Sequence, residues 1–194
     1  MGKISGVERV AEIDYGKASA FTLVKNRVVW LFVLLLIGTF VSGRLLKGYS
    51  GVLESVIALA IFIPMMMDSG GNAGSQSLTM VVRGLATGEV TLNQVWSIIR
   101  KEVFAGLMSG ILMGIIAMLS VFALQGFNLR LAFTVGFSLS IVVTVATVTG
   151  AFLPFLFKRL GFDPAVAASP FITTAVDATC VIIYFEVAKL LIFS

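Results

Sequence analysis

Five stretches of this sequence are apolar over the length of a membrane-crossing helix, and few folds accommodate that. They run over residues 23–43, 51–84, 95–124, 131–157 and 165–193. About 20 apolar residues cross the hydrocarbon of a bilayer as a helix, whereas outer-membrane strands show as alternating segments of about ten. These runs have helix length and do not alternate. The expected fold class is an all-α integral membrane protein with five transmembrane helices. Composition agrees, since only 12% of residues are charged against about 25% in soluble domains.

The charges that remain are placed unevenly. Of the 14 basic residues, all but Arg44, Lys47, Arg130 and Lys189 fall on one side of the five-span arrangement. Basic loops stay in the cytoplasm, so the pattern predicts a cytoplasmic N-terminus, an outside C-terminus and a multi-pass protein of the cell (inner) membrane. It also accounts for the net charge of +4 without a nucleic-acid partner. With no His and one Cys, a Cys/His zinc site and an internal disulfide are both excluded. The first apolar run starts only after Arg27, behind a polar segment holding Glu8, Glu12 and Asp14, so no cleavable signal is expected. Residues 1–23 are read as a polar, amphipathic connecting segment, either a surface helix or a frayed terminus. Residues 24–194 are expected to form one five-helix transmembrane domain.

The second run changes character partway. Residues 64–83 read PMMMDSGGNAGSQSLTMVVR, with carboxylate, amides and hydroxyls where lipid favours Leu. An ionised Asp at the middle of a spanning helix costs about 2.5–3.5 kcal/mol on insertion scales. Such groups face a bundle interior or a watery path. Asp68, Asn72, Ser75 and Thr79 recur at helical spacing on one face. Glu54 lies nearer the start of the same run. The run is long for one span, and a kink is expected at Pro64 or near Gly70 and Gly71. Gly70, Gly71 and Gly74 suit either tight packing or local unwinding.

A second deep carboxylate, Asp177, shares a face of the fifth run with Ser169, Thr173 and Tyr184. The two aspartates and the hydroxyls and amides around them form an oxygen-rich, nearly sulfur-free donor set, which suits a hard divalent cation. Mg2+ keeps several waters and binds through one or two carboxylates, so hydrated Mg2+ is the expected cargo, with Mn2+, Ca2+ and Co2+ as competitors. Five helices are few to enclose a hydrated ion. A homodimer that brings the second and fifth helices of each copy together is therefore expected. Elsewhere the glycines Gly106, Gly110 and Gly114, four residues apart, mark close helix packing. The small stripe Gly136, Ser140, Thr144, Thr147 and Ala151 is read the same way. Cys180 is read as a small buried filler.

The segments PMMMDSGGNAGSQS and RGLATGE (83–89), with LPFLFKRLGFDPAVAASP (153–170) and TTAVDATCVIIYFEVAKLL (173–191), resemble the MgtE family of bacterial magnesium channels. The resemblance covers nearly all of residues 25–193. It implies a five-helix dimer whose pore is lined by the second and fifth helices and conducts hydrated Mg2+, not an enzyme. By that resemblance Asp177 is the essential pore carboxylate. Thr173 and Ser169 match positions whose backbone oxygens face the hydrated ion, Asp68 tunes the pore, and Glu54 matches an acidic residue near the outer entrance. The family's usual cytosolic helical domain and paired CBS module match nothing in these residues. The chain is then an isolated membrane domain or a short form, in which magnesium-sensing closure is expected to be lost or altered. Two other readings use the same carboxylates. One is a Na+- or H+-coupled Mg2+ exporter. The other is an intramembrane aspartyl protease, which the contexts MDSGG and AVDAT disfavour because they lack YD and GxGD motifs.

Overall fold

The computed structural model describes residues 19–55, 57–124, 126 and 128–192, apart from the side chains of residues 26, 27, 29, 30, 54, 55 and 166–170. Most of the expected connecting segment therefore lies outside the described residues. The regular elements described are all helical: α1 (Ala20–Gly48), α2 (Ser50–Ser55), α3 (Ala58–Thr87), a 3₁₀ turn (Leu92–Gln94), α4 (Val95–Leu124), α5 (Leu129–Arg159) and α6 (Pro164–Ile192).

Local chemistry sets these ends. The Ser19 and Asn128 side chains accept the free amides of Thr22 and Leu131 at the starts of α1 and α5, as N-caps do. Pro164 opens α6, where its missing N–H is no loss, and Asp163 Oδ1 accepts from Ala165 N at 2.9 Å. Gly88 and Gly161 turn the chain with φ of 78° and 81°, a region that side chains other than glycine's strain to adopt. The first helix runs longer than residues 23–43, because α1 continues past Arg44 and Lys47 to a C-cap at Tyr49. α2 ends at Ser55 and α3 starts at Ala58, with Ile57 in a turn, and α3 is helical through Pro64, Gly70 and Gly71, without unwinding at those glycines.

α5 is the hub, packed against α4, α3 and α6. Its small stripe meets the glycine series of α4 directly. A Cβ on Gly106, Gly110 or Gly114 would strike Thr147, Ser140 or Gly136. Thr144 Oγ1 also lies 3.1 Å from the Gly106 carbonyl and 2.8 Å from that of Ser140. The two small-residue stripes are thus the two sides of one seam, which lets the helix backbones approach closely. On its other side α5 meets α3, where Gly150 sits against the Gly74 backbone. Between α3, α5 and α6 lies the main core, with Leu59, Met66, Leu139, Ile172, Val176 and Tyr184. The Tyr184 hydroxyl donates to the Leu59 carbonyl at 3.0 Å. Cys180 is buried, as a filler should be.

α1 stands apart. None of its apolar segment Leu31–Gly48 is buried. It is held to α6 at one end, where Tyr49 stacks on Phe185 at 4.9 Å and donates to Glu186 Oε1 at 2.8 Å. Among the described residues, three helical segments are long and apolar enough to cross a membrane: Leu31–Gly48, Leu92–Leu124 and Leu129–Arg159. α3 and α6 match them in length, at 30 and 29 residues, but carry the polar groups.

Candidate functional site

α3 presents two unlike faces. Gly70, Gly74, Ser77, Leu78 and Val81 are buried against the bundle. On the opposite side Asp68, Asn72 and Gln76, each four residues from the next, are exposed. Asn72 Nδ2 donates to Asp68 Oδ2 at 3.3 Å, which orients the carboxylate. Thr79, also exposed, donates to the Ser75 carbonyl at 2.8 Å. Ser75, half-buried, lies on the same face, and exposed Gln76 widens it at one flank.

α6 runs antiparallel beside α3. A Cβ on Gly70 would meet Cys180 Sγ at 2.6 Å and Val176 Cγ1 at 3.1 Å, and one on Gly74 would meet the Ile172 side chain at 3.3 Å. These contacts fix the register. Asp68, two residues before Gly70, and Asp177, one after Val176, lie at one level of the bundle. Asn72 and Thr173 lie a turn further along. Thr173 is exposed and Asp177 half-buried. The Asp177 carboxylate meets neither a hydrogen-bond donor nor a cation among the described residues.

These groups do not form a closed cage within one chain. Among the described residues, no three acidic, His or Cys side chains gather as a metal site. What exists is an open half-wall of two carboxylates, two amides and hydroxyls, suited to a hydrated cation and not to a dehydrated one. The side chains of Ser169, on α6, and Glu54, on α2, are outside the described residues, and the structure does not place them.

One polar contact behind the wall escapes sequence reasoning. Buried Ser77 donates to Glu102 Oε2 of α4 at 2.7 Å. The first turns of α4 read as protruding from the hydrocarbon, yet Glu102 is half-buried. Nothing in the spacing of either helix pairs residues 25 positions apart.

Long apolar helices beside two antiparallel polar ones give an all-helical protein suited to a membrane. A family model described as a divalent cation transporter, MgtE, matches residues 63–187. The magnesium transporter MgtE of Thermus thermophilus is 38% identical over 187 residues, covering 96% of this chain and 41% of that protein. That of Enterococcus faecalis is 38% identical over 184 residues, covering 95% and 39%. That of Bacillus subtilis is 34% identical over 206 residues, covering 98% and 44%. The chain therefore belongs to the MgtE family, a family of transporters and not of enzymes. It spans about two fifths of the length of these curated relatives.

Proposed function

We propose that the chain forms the membrane pathway of a magnesium transporter. Two copies enclose a pore lined by α3 and α6, through which hydrated Mg2+ passes between Asp177 carboxylates. In this reading α1, α2 with α3, α4, α5 and α6 make five spans of the cell membrane, with the N-terminus inside and the C-terminus outside. Mn2+, Ca2+ and Co2+ compete for the same oxygens. Glu54 and Ser169 extend the path on either side of the central carboxylates.

The observation that carries this is the exposed line Asp68, Asn72 and Gln76 beside Thr173 and Asp177. In a lone chain that line would face lipid. The carboxylate alone then costs about 2.5–3.5 kcal/mol, and the unsatisfied amides add to it. A second copy with water and cations between removes the cost. The cargo is supported by the relatives, which are named magnesium transporters. A 100 mV potential drives a divalent cation inward with about 4.6 kcal/mol, twice the single-charge value, so a passive path suffices.

The test is Mg2+ entry into proteoliposomes, with and without Na+ or H+ gradients. The wild type is expected to conduct without a counter-gradient and Asp177→Ala to lose most flux. Unchanged flux in Asp177→Ala refutes the pore assignment. Strict dependence on a counter-gradient replaces the channel with an exporter.

A further inference from the structure

The flank formed by α4 and α5, away from the polar wall, carries two hollows. The smaller, about 120 Å³, lies at the end where α4 begins and α5 finishes, lined by Val95, Trp96, Ile99, Phe152, Leu156 and Arg159 among others. The larger, about 500 Å³, lies further along the same pair of helices, between Leu107 and Ile111 on one side and Phe133 and Phe137 on the other. Ile99 and Leu107 are eight residues apart, and Val145 and Phe152 seven, so each helix turns the same side to both hollows. They form two stations of one apolar trough. Gly114 and Gly136 lie at its far part, where the two helices pack most closely.

The near end is not apolar. Arg159 stands at its lip, and among the described residues its guanidinium meets no carboxylate. Arg100 Nε donates to the Trp96 carbonyl at 3.3 Å, which holds a second guanidinium over the turn that lines the hollow and leaves its other N–H groups to solvent. The Trp96 indole is 71% exposed beside them. An aromatic ring at the membrane boundary, two guanidiniums and an apolar trough running away from them match a lipid with an anionic headgroup. Guanidiniums bind phosphate through paired N–H groups, and the trough takes an acyl chain.

We propose that this flank is a binding site for an anionic phospholipid, with its phosphate at Arg159 and Arg100 and one acyl chain laid along the α4–α5 trough. The site rests on the membrane placement of these two helices and is independent of the ion pathway on α3 and α6.

Trp96 reports on it directly. With Trp30→Phe it is the single remaining tryptophan, and its fluorescence is quenched by lipids brominated on the acyl chain. Full-length protein in bilayers of brominated phosphatidylglycerol mixed with phosphatidylcholine is compared with the reverse labelling. The expected result is a preference for phosphatidylglycerol that falls about fivefold for each guanidinium removed in Arg159→Gln and Arg100→Gln, from about 1 kcal/mol per basic residue. Arg130→Gln, on the opposite end of α5, leaves it unchanged. Equal quenching by both lipids overturns the proposal, as does a preference that survives the double substitution. Absence of quenching by either lipid also overturns it, since a protein surface would then cover the flank.

Discussion

Gly150→Ala tests the packing that aims the polar wall. A Cβ at Gly150 would overlap the Gly74 carbonyl oxygen and lie 2.8 Å from its carbon and 3.0 Å from the Gly74 Cα. Carbon atoms rest at about 3.5–4.0 Å, so α3 and α5 must part by roughly 1 Å. Both sides of the contact are backbone, and no rotamer change relieves it. Overpacking of this kind costs about 1–3 kcal/mol, offset by up to about 1 kcal/mol of alanine's helix preference. Gly71→Ala is the control: it lies on α3, and its added Cβ meets nothing within 4 Å, so only the favourable part remains. The two variants should therefore differ by about 1–3 kcal/mol in unfolding free energy, followed by circular dichroism as SDS is titrated into mixed micelles. Because the displaced helix carries Asp68 and Asn72, Gly150→Ala should also lose Mg2+ flux in proteoliposomes. Equal stability of the two variants would refute the close α3–α5 contact.

Two further outcomes follow from the polar contacts outside the wall. Ser77→Ala and Glu102→Ala should each destabilise the bundle by about 1.5–3 kcal/mol, the value of a hydrogen bond to a charged group, and the double variant should cost little more than either alone. Full additivity in that cycle would mean the two groups do not interact. Tyr49 lies in the turn between α1 and α2, where burial first, and then the Glu186 hydrogen bond and charge, push its phenol from 10.0 up to about 12. The folded state thus holds the proton more tightly. The stabilisation is complete below pH 10.0 and is lost as pH rises toward about 12. A UV-monitored titration compared with Tyr49→Phe should show one phenol ionising near the upper value and moving down in Glu186→Gln; a Tyr49 midpoint near 10.0 would exclude the clasp.

The apolar period made the helices legible, and α4 occupies the residues its run predicts. Ends were less legible where charged side chains lie inside a helix. Arg44 and Lys47 read as flanks of the first run, yet α1 includes both, since long basic stems extend along a helix and carry their charge to the boundary. The interruption before α3 is similar. Pro64 is where a proline draws attention, yet α3 runs through it, and the second run instead divides into α2, ending at Ser55, and α3, starting at Ala58. The line Asp68–Asn72 was readable because it depends on one helix alone. That Gln76 joins the exposed face depends on how α3 is rotated in the bundle, which its neighbours decide. The common level of Asp68 and Asp177, the facing of the two small stripes and the Ser77–Glu102 pair are tertiary facts, set by which surfaces meet.

Those tertiary facts explain why the wall faces outward. The tightest contacts of α3 are on the side opposite its polar line: Gly70 and Gly74 against α5 and α6, and Ser77 against α4 through Glu102. Such close glycine contacts tolerate little rotation, because turning α3 by one residue position brings a Cβ into a space that holds none. The polar line therefore cannot turn inward to hide from lipid, and among the described residues no neighbouring helix covers it. α1, unburied along its apolar length and tethered at one end by Tyr49, packs on α6 and leaves that face open. A fold built this way is stable in a bilayer only if something polar meets that face, whether water, ions or the same face of a second copy. The rigid packing behind α3 and the open half-site in front of it are thus one design: the packing fixes the orientation of Asp68, and the wall stays open on the side where the proposed second copy would close it.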